Sequence, residues 1–390
     1  VQDAMVGDDV GGSARPVKRG TKMPIWKEIQ EKERRVREFL KVRGLRALLL
    51  KRQANFSWMT GGGLNAVMIA TELGNASLLI TEKGKYVVTN NIEAPRMAEE
   101  EVLEAQGYRI RSFPWHEDRE VSLVRKIVGK GPIGCDWPFP DAVMVAEDVA
   151  RLRYSLTAEE VIRYRWLGEK VSGALERTMI AAKKGEKESE VAGRLCLELW
   201  KDRIDPMGMM SAADERISRF RHPIPTEKKV KKFLMVSVNA RKGGLIVCLT
   251  RFVHFGKVPR KLRKQYEANV IIDCAFMAAT RPGVPAREVL RKGIEAYDAK
   301  GYPEEWKLHH QGGSIGYNPR DYRVHFGTPD LIQENQAFCW NPTIAGTKSE
   351  DTILATSRGV EMITKPVLYP SLSLEVGGMR FTRAAILEKN

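Results

Sequence analysis

Three short segments carry the reading: Gly313-Ser314-Ile315-Gly316, then Asn341-Pro342, then Ser349-Glu350-Asp351-Thr352-Ile353. Upstream, Ser237 stands eleven residues before Cys248, and Thr250-Arg251 follow closely. Five of these positions, Ser237, Cys248, Gly313, Asn341 and Glu350, present one carboxylate among them. If Ser349 to Leu354 is a half-buried strand, alternation turns Glu350 inward and Asp351 outward.

In order and spacing the segments resemble the creatinase, aminopeptidase P and methionine aminopeptidase family, the pita-bread metallopeptidases. The resemblance places a family Asp on Ser237, a second Asp on Cys248, a His on Gly313, a Glu on Asn341 and the last Glu on Glu350. Only Glu350 keeps the ligand type. Paired divalent cations need several carboxylates, because hard cations prefer oxygen and their charge must be balanced. Ser237 and Asn341 are neutral, Gly313 has no side chain, and Glu350 alone cannot hold two ions. The expectation is a family fold with no metal and no cofactor. A single soft ion on Cys248 and a histidine has no spacing in its favour.

The resemblance covers most of the chain. It implies an α+β pita-bread catalytic domain over 154–390 behind a smaller α/β creatinase-type N-terminal domain over 23–153. Asn55-Phe56-Ser57-Trp58-Met59-Thr60-Gly61 is similar to a family turn in the latter. Residues 1–22 lack apolar periodicity and read as a disordered or non-native tail. An amphipathic helical stretch opens at Pro24-Ile25-Trp26 and reaches Gly44. Strands follow at 47–50, 76–81, 86–89 and 132–135, with a helical stretch near 93–106. Thr157-Ala158-Glu159-Glu160 reads as a capping box that starts a long helix ending near Gly185. Helices near 188–202, 258–280 and 285–300 and strands near 233–239 and 244–253 precede a strand-rich C-terminus.

His222, in Arg219-Phe220-Arg221-His222-Pro223, matches a histidine that lines the family's substrate cavity. In creatinase, which works without metal, the matching histidine shuttles a proton, a role that suits imidazole with its unperturbed pKa of about 6.5. His309 matches a family histidine that contacts substrate. On one strand, His309 and His310 would point to opposite faces, so at most one would face the cavity. Gly316-Tyr317 matches a family Gly-Leu pair that precedes a second cavity histidine. Arg320 stands there, and His325 takes that place only with an insertion. A guanidinium at Arg320 would clamp a carboxylate in bidentate fashion. Cys248 is either a nucleophile activated by nearby cations or an inert buried thiol. Glu350 would raise the basicity of His222 or bind a substrate cation.

Composition narrows the classes. The chain has 390 residues with 43% hydrophobic content, and no apolar run approaches the length of a membrane helix. Five scattered cysteines without paired spacing favour a reducing, cytoplasmic setting. Net charge is +15, and residues 215–267 hold fifteen Lys or Arg against three Glu. That asymmetry suits an anionic substrate or, less favoured, a nucleic acid. The expected function is a metal-independent, creatinase-like hydrolase of a C–N bond in a small polar, anionic molecule, working as a homodimer. Its catalytic residues would be His222, Glu350 and Cys248. His309, Arg219, Arg221, Arg320, Tyr317, Asn341 and Ser237 would bind substrate. Two alternatives stand: an Xaa-Pro aminopeptidase or dipeptidase with a rebuilt metal site, and a catalytically dead pita-bread protein that binds nucleic acid or a protein partner.

Overall fold

A computed structural model describes residues 25–390, so the 1–22 tail lies outside the described residues. The first helix, Ile25–Arg43, leads into a six-stranded mixed sheet ordered Tyr108–Phe113, Lys85–Asn90, Leu73–Thr81, Ala47–Arg52, Ile133–Cys135 and Ala142–Met144. Ala47-Leu48-Leu49-Leu50 is buried on both faces, as a central strand between helical layers must be. The helical stretch expected at 93–106 is only Ala94–Glu99, because the chain turns through Leu103 to Gly107, whose φ is +85°. Asn55 to Met59 form part of a helix, Gln53–Met59, and not a turn. Helix Glu120–Val128 was not expected from the sequence.

The helix Ala158–Ala181 opens the second half. Its capping box is present: Thr157 Oγ1 accepts from the Glu160 amide at 3.3 Å, and a Glu160 oxygen accepts from the Thr157 amide at 2.8 Å. Two larger sheets then share the domain with two two-stranded ribbons, Thr343–Ile344 with Thr347–Lys348 and Ser371–Val376 with Met379–Ala384. Of the larger sheets, one is ordered Leu387–Lys389, Leu245–Phe255, Phe233–Lys242 and Asp205–Ala213; the other Tyr322–Arg323, Gly312–Ile315, Gln336–Trp340, Asp351–Thr356 and Gly359–Met362. Helices Ala158–Ala181 and Glu188–Trp200 pack on the first sheet, and Arg260–Ala279 and Ala286–Ala299 pair with each other and serve the second. The strand Asp205–Ala213, with Pro206 and Gly208, has weak strand character of its own and pairs through a register shift between those residues.

The sheets meet where Leu245–Phe255 runs beside the segment leading into Asp351–Thr356. The Thr250 amide donates to the Glu350 carbonyl at 3.1 Å, and the Cys248 amide donates to Thr352 Oγ1 at 2.8 Å. The two halves of the chain are tied by buried polar contacts. Lys32 of the first helix bonds Glu28 at 2.5 Å and Glu160 at 2.7 Å, and Tyr317 donates to Glu160 at 2.5 Å. Among the described residues no helix is long and apolar enough to cross a membrane.

Candidate functional site

Ser237 and Thr250 are cross-strand partners in Phe233–Lys242 and Leu245–Phe255, so their hydroxyls share one face. Both donate to Glu350 Oε2, each at 2.7 Å. Lys348 Nζ reaches the same carboxylate oxygen at 2.9 Å, and Arg320 stands 3.8 Å from Oε1. Lys348 and Glu350 are 2% and 3% exposed, so the pair is sealed from solvent. Burial alone would raise the Glu350 pKa, but Lys348 and Arg320 outweigh it and hold the carboxyl at about 2. Cys248 lies two residues before Thr250 on the same face. Its thiol is pulled below the usual range by a hydrogen bond from Cys339 and by the Arg320 guanidinium, 3.9 Å away. Burial pushes Cys339 the other way, and its sulfur lies 3.7 Å from Glu350 Oε1.

Arg320 connects this buried centre to two cavities between the halves of the chain. One, of about 460 Å³, is also lined by Arg52, Gln53, Arg241 and Tyr317; the other, of about 900 Å³, by Arg153, Tyr154, Arg323 and His325. The Arg320 Nε is buried without a protein partner, so the guanidinium keeps a donor for a ligand. Asp321, beside it, is fixed by Arg153 at 2.7 Å, and Arg153 also bonds Asn55 of the first half.

A second group lies nearby. His222 Nε2 and His309 Nε2 are 3.0 Å apart, and the His310 ring stands 5.6 Å from that of His222 and 4.6 Å from that of His309. The expectation that His309 and His310 face opposite sides fails. They lie in the loop after the single 3₁₀ turn Glu305–Leu308 and before Gly312–Ile315, so strand alternation does not apply. Burial, with Lys348 adding its charge, lowers His309 to about 2; burial with Arg320 and Arg323 lowers His310 to about 3. His222 is lowered too, by burial and Lys348 against the pull of Glu350, yet it remains exposed at the surface.

Ser237, Cys248, Arg320 and Glu350 therefore converge, with His222 and His309 close enough to feel the charges of Lys348 and Glu350. Several expected members do not join them. Arg219 is exposed and lies over the Phe220 ring. Arg221 is paired with Glu305 at 2.9 Å. Tyr317 lines the smaller cavity, but its hydroxyl is committed to Glu160. Asn341 is buried, its amide nitrogen on the backbone bonded to Gln311 and its Oδ1 without a partner. His325 bonds its own loop at Gly327 and Thr328. Asp351 points inward and not outward, held by Arg251 at 3.1 Å and Arg383 at 3.0 Å. Gly313 has no room for a side chain: a Cβ there would meet the Tyr322 carbonyl oxygen at 2.2 Å. Lys348, Cys339 and Thr250 were missed. Lys348 had a signal, since it stands two residues before Glu350.

The basic segment is partly neutralised within the fold. Arg216, Lys228, Arg241 and Arg263 pair with Glu188, Glu215, Asp205 and Glu388, and Arg251 is buried between Glu176 and Asp351.

Known proteins share this arrangement of elements. The chain is 26% identical over 243 residues to an Xaa-Pro dipeptidase of Lactobacillus helveticus, covering 58% of this chain and 65% of that one. It thus matches just under two thirds of the length of its curated relatives. The solved structure of an Xaa-Pro dipeptidase from Bacillus anthracis superposes with a TM-score of 0.73 at 20% identity, over 93% of this chain and all of that one. The N-terminal domain of the FACT complex subunit SPT16 from chickpea superposes with a TM-score of 0.66 at 13% identity, over 87% and 97%. Residues 163–381, more than half of the chain, match metallopeptidase family M24, and the chain is a member of that family.

Proposed function

We propose that this chain is a hydrolase of a C–N bond in a small, anionic molecule and that it works without the paired divalent cations of its family. The observation that carries the reading is the contact of Lys348 with Glu350. The one carboxylate of the centre is bonded by an ammonium and two hydroxyls and approached by a guanidinium. Divalent ions are held by clusters of carboxylates, and here chain cations stand where such ions would need anionic ligands. Asp351, the nearest other carboxylate in sequence, is committed to Arg251 and Arg383. Gly313 offers no ligand atom and no space for one. The donor set does not fit a dinuclear centre.

The groups present suit acid–base chemistry. His222 is exposed and its pKa is lowered, so at neutral pH it is an imidazole free to accept a proton. It would take the proton of the attacking water and return it to the leaving nitrogen, with His309 at 3.0 Å fixing its ring. Arg320, with its spare donor, would hold the anionic end of the substrate. A screen of small carboxylates bearing amide, amidine or guanidino C–N bonds tests the reading, first by thermal shift and then by turnover in the presence of a chelator. Turnover that survives chelation supports it.

The Xaa-Pro reading is favoured by the family and by the dipeptidase relatives. Cleavage of Xaa-Pro dipeptides that appears on adding manganese and vanishes on chelation would replace the proposal by that one. The SPT16 resemblance leaves a binding role as the third outcome. It would be supported by the absence of turnover on every compound that binds.

A further inference from the structure

His222, His309 and His310 each present a ring nitrogen, and these three atoms lie within 4.8 Å of one another. We propose that they form a binding site for a single divalent transition-metal ion, separate from the Glu350 centre. A four-coordinate zinc ion has nitrogen ligands at about 2.0–2.1 Å, which sets them roughly 3.3 Å apart. The His222–His309 separation of 3.0 Å is already close to that value, and the remaining gap needs a ring shift of about an ångström. His310 Nδ1 is buried with no protein partner, so the fold itself does not satisfy it. His222 is exposed and gives an ion its way in.

Chemistry selects the ion. An all-imidazole set suits zinc, copper, nickel or cobalt, whereas magnesium, calcium and manganese favour carboxylate and carbonyl oxygen. The charges of Lys348, Arg320 and Arg323 act on the cluster, offset in part by Glu350, and oppose a bare cation, so the neutral imidazoles bind an ion only together with an anion. The same charges make an anion, such as hydroxide, chloride or a carboxylate, the favoured fourth ligand. On the hydrolase reading above, an ion here takes the lone pair with which His222 accepts a proton, so it inhibits.

Cobalt titrated into the full, untagged chain tests the site, read by visible absorption and by calorimetry. The expected result is one ion per chain, with the intense bands of four-coordinate cobalt, displaced by zinc. His310→Ala and His309→Ala should each weaken binding at least tenfold while thermal melting shows the protein folded. No binding, or binding untouched by either histidine variant, overturns the site and leaves the hydrolase reading standing. Stoichiometric cobalt with undiminished turnover on a confirmed substrate keeps the site and removes His222 as the base.

Discussion

Replacing Lys348 by Met leaves Glu350 buried with two hydroxyls and a guanidinium 3.8 Å away. Removing one member of a buried ion pair costs about 3–5 kcal/mol, because the survivor keeps its desolvation penalty. A second route gives a similar figure. The Glu350 carboxyl moves from 4.5 to about 2 on folding, and at 1.36 kcal/mol per unit that is about 3 kcal/mol. For the C-terminal domain, unfolding entropy is about 0.5 kcal/mol per kelvin, so Lys348→Met should lower its melting temperature by roughly 6–10 °C. Glu350→Gln should do much the same, since it strands the ammonium. The double variant strands neither member of the Lys348–Glu350 pair, although Arg320 loses its carboxylate neighbour, and it should melt above the value obtained by adding the two single effects. Calorimetry of all four proteins at one buffer and salt completes the cycle. If the two losses added to within about 0.5 kcal/mol, the range expected of independent sites, the ammonium would not be what holds the carboxylate. The argument that chain cations have displaced metal ions would then fall.

Acid should act on the same pair. Because the Glu350 pKa is depressed on folding, its stabilisation is present above 4.5 and is lost as pH falls towards about 2; urea melts of wild type and the double variant should therefore converge over that window, and parallel curves would count against the pairing. His222→Ala should lower turnover on a confirmed substrate by about 10²–10⁴-fold, and His222→Asn should be nearly as inactive; unchanged turnover in the alanine variant would pass the role to Cys248. Gly168→Ala should cost about 1–3 kcal/mol by overpacking, because the new Cβ would meet the Ile363 carbonyl oxygen at 2.1 Å; a neutral result by denaturant melting would mean that the long helix shifts freely.

Much of the frame was legible because it rests on local rules. Ala47 to Leu50 could only be a buried strand, and Thr157 with Glu160 announced a helix start that the hydrogen bonds reproduce. The convergence of Ser237 with Glu350 followed from the family's order and spacing and is seen at 2.7 Å. What stayed hidden depends on long-range partners. Nothing near Arg221 in sequence reveals Glu305, and nothing near Tyr317 reveals Glu160. Asp351 was turned outward by alternation, which assumes that charge seeks water; two buried arginines reverse it. Lys348 was overlooked although the rule that turned Glu350 inward applies equally two residues earlier. His309 and His310 were assigned to opposite faces by a strand rule, and the chain there is a loop.

The balance of charge at the centre argues for the sign of the ligand. A pair of divalent ions carries four positive charges, which a family of carboxylates must offset. Here the fixed cations are Lys348 and Arg320 and the fixed anion is Glu350. The surrounding acids are already committed, Asp351 to two arginines, Asp273 to Arg383 and Asp321 to Arg153. The centre is thus left with a formal excess of one positive charge, and Arg320, whose buried Nε has no protein partner, lines both cavities. A buried guanidinium without a full set of acceptors is costly until an anion arrives. A ligand carboxylate would supply the missing acceptor and neutralise the excess together. On the wall of the smaller cavity Arg52 and Arg241 are paired with Glu72 and Asp205, so the repulsion of a cationic ligand falls chiefly to Arg320.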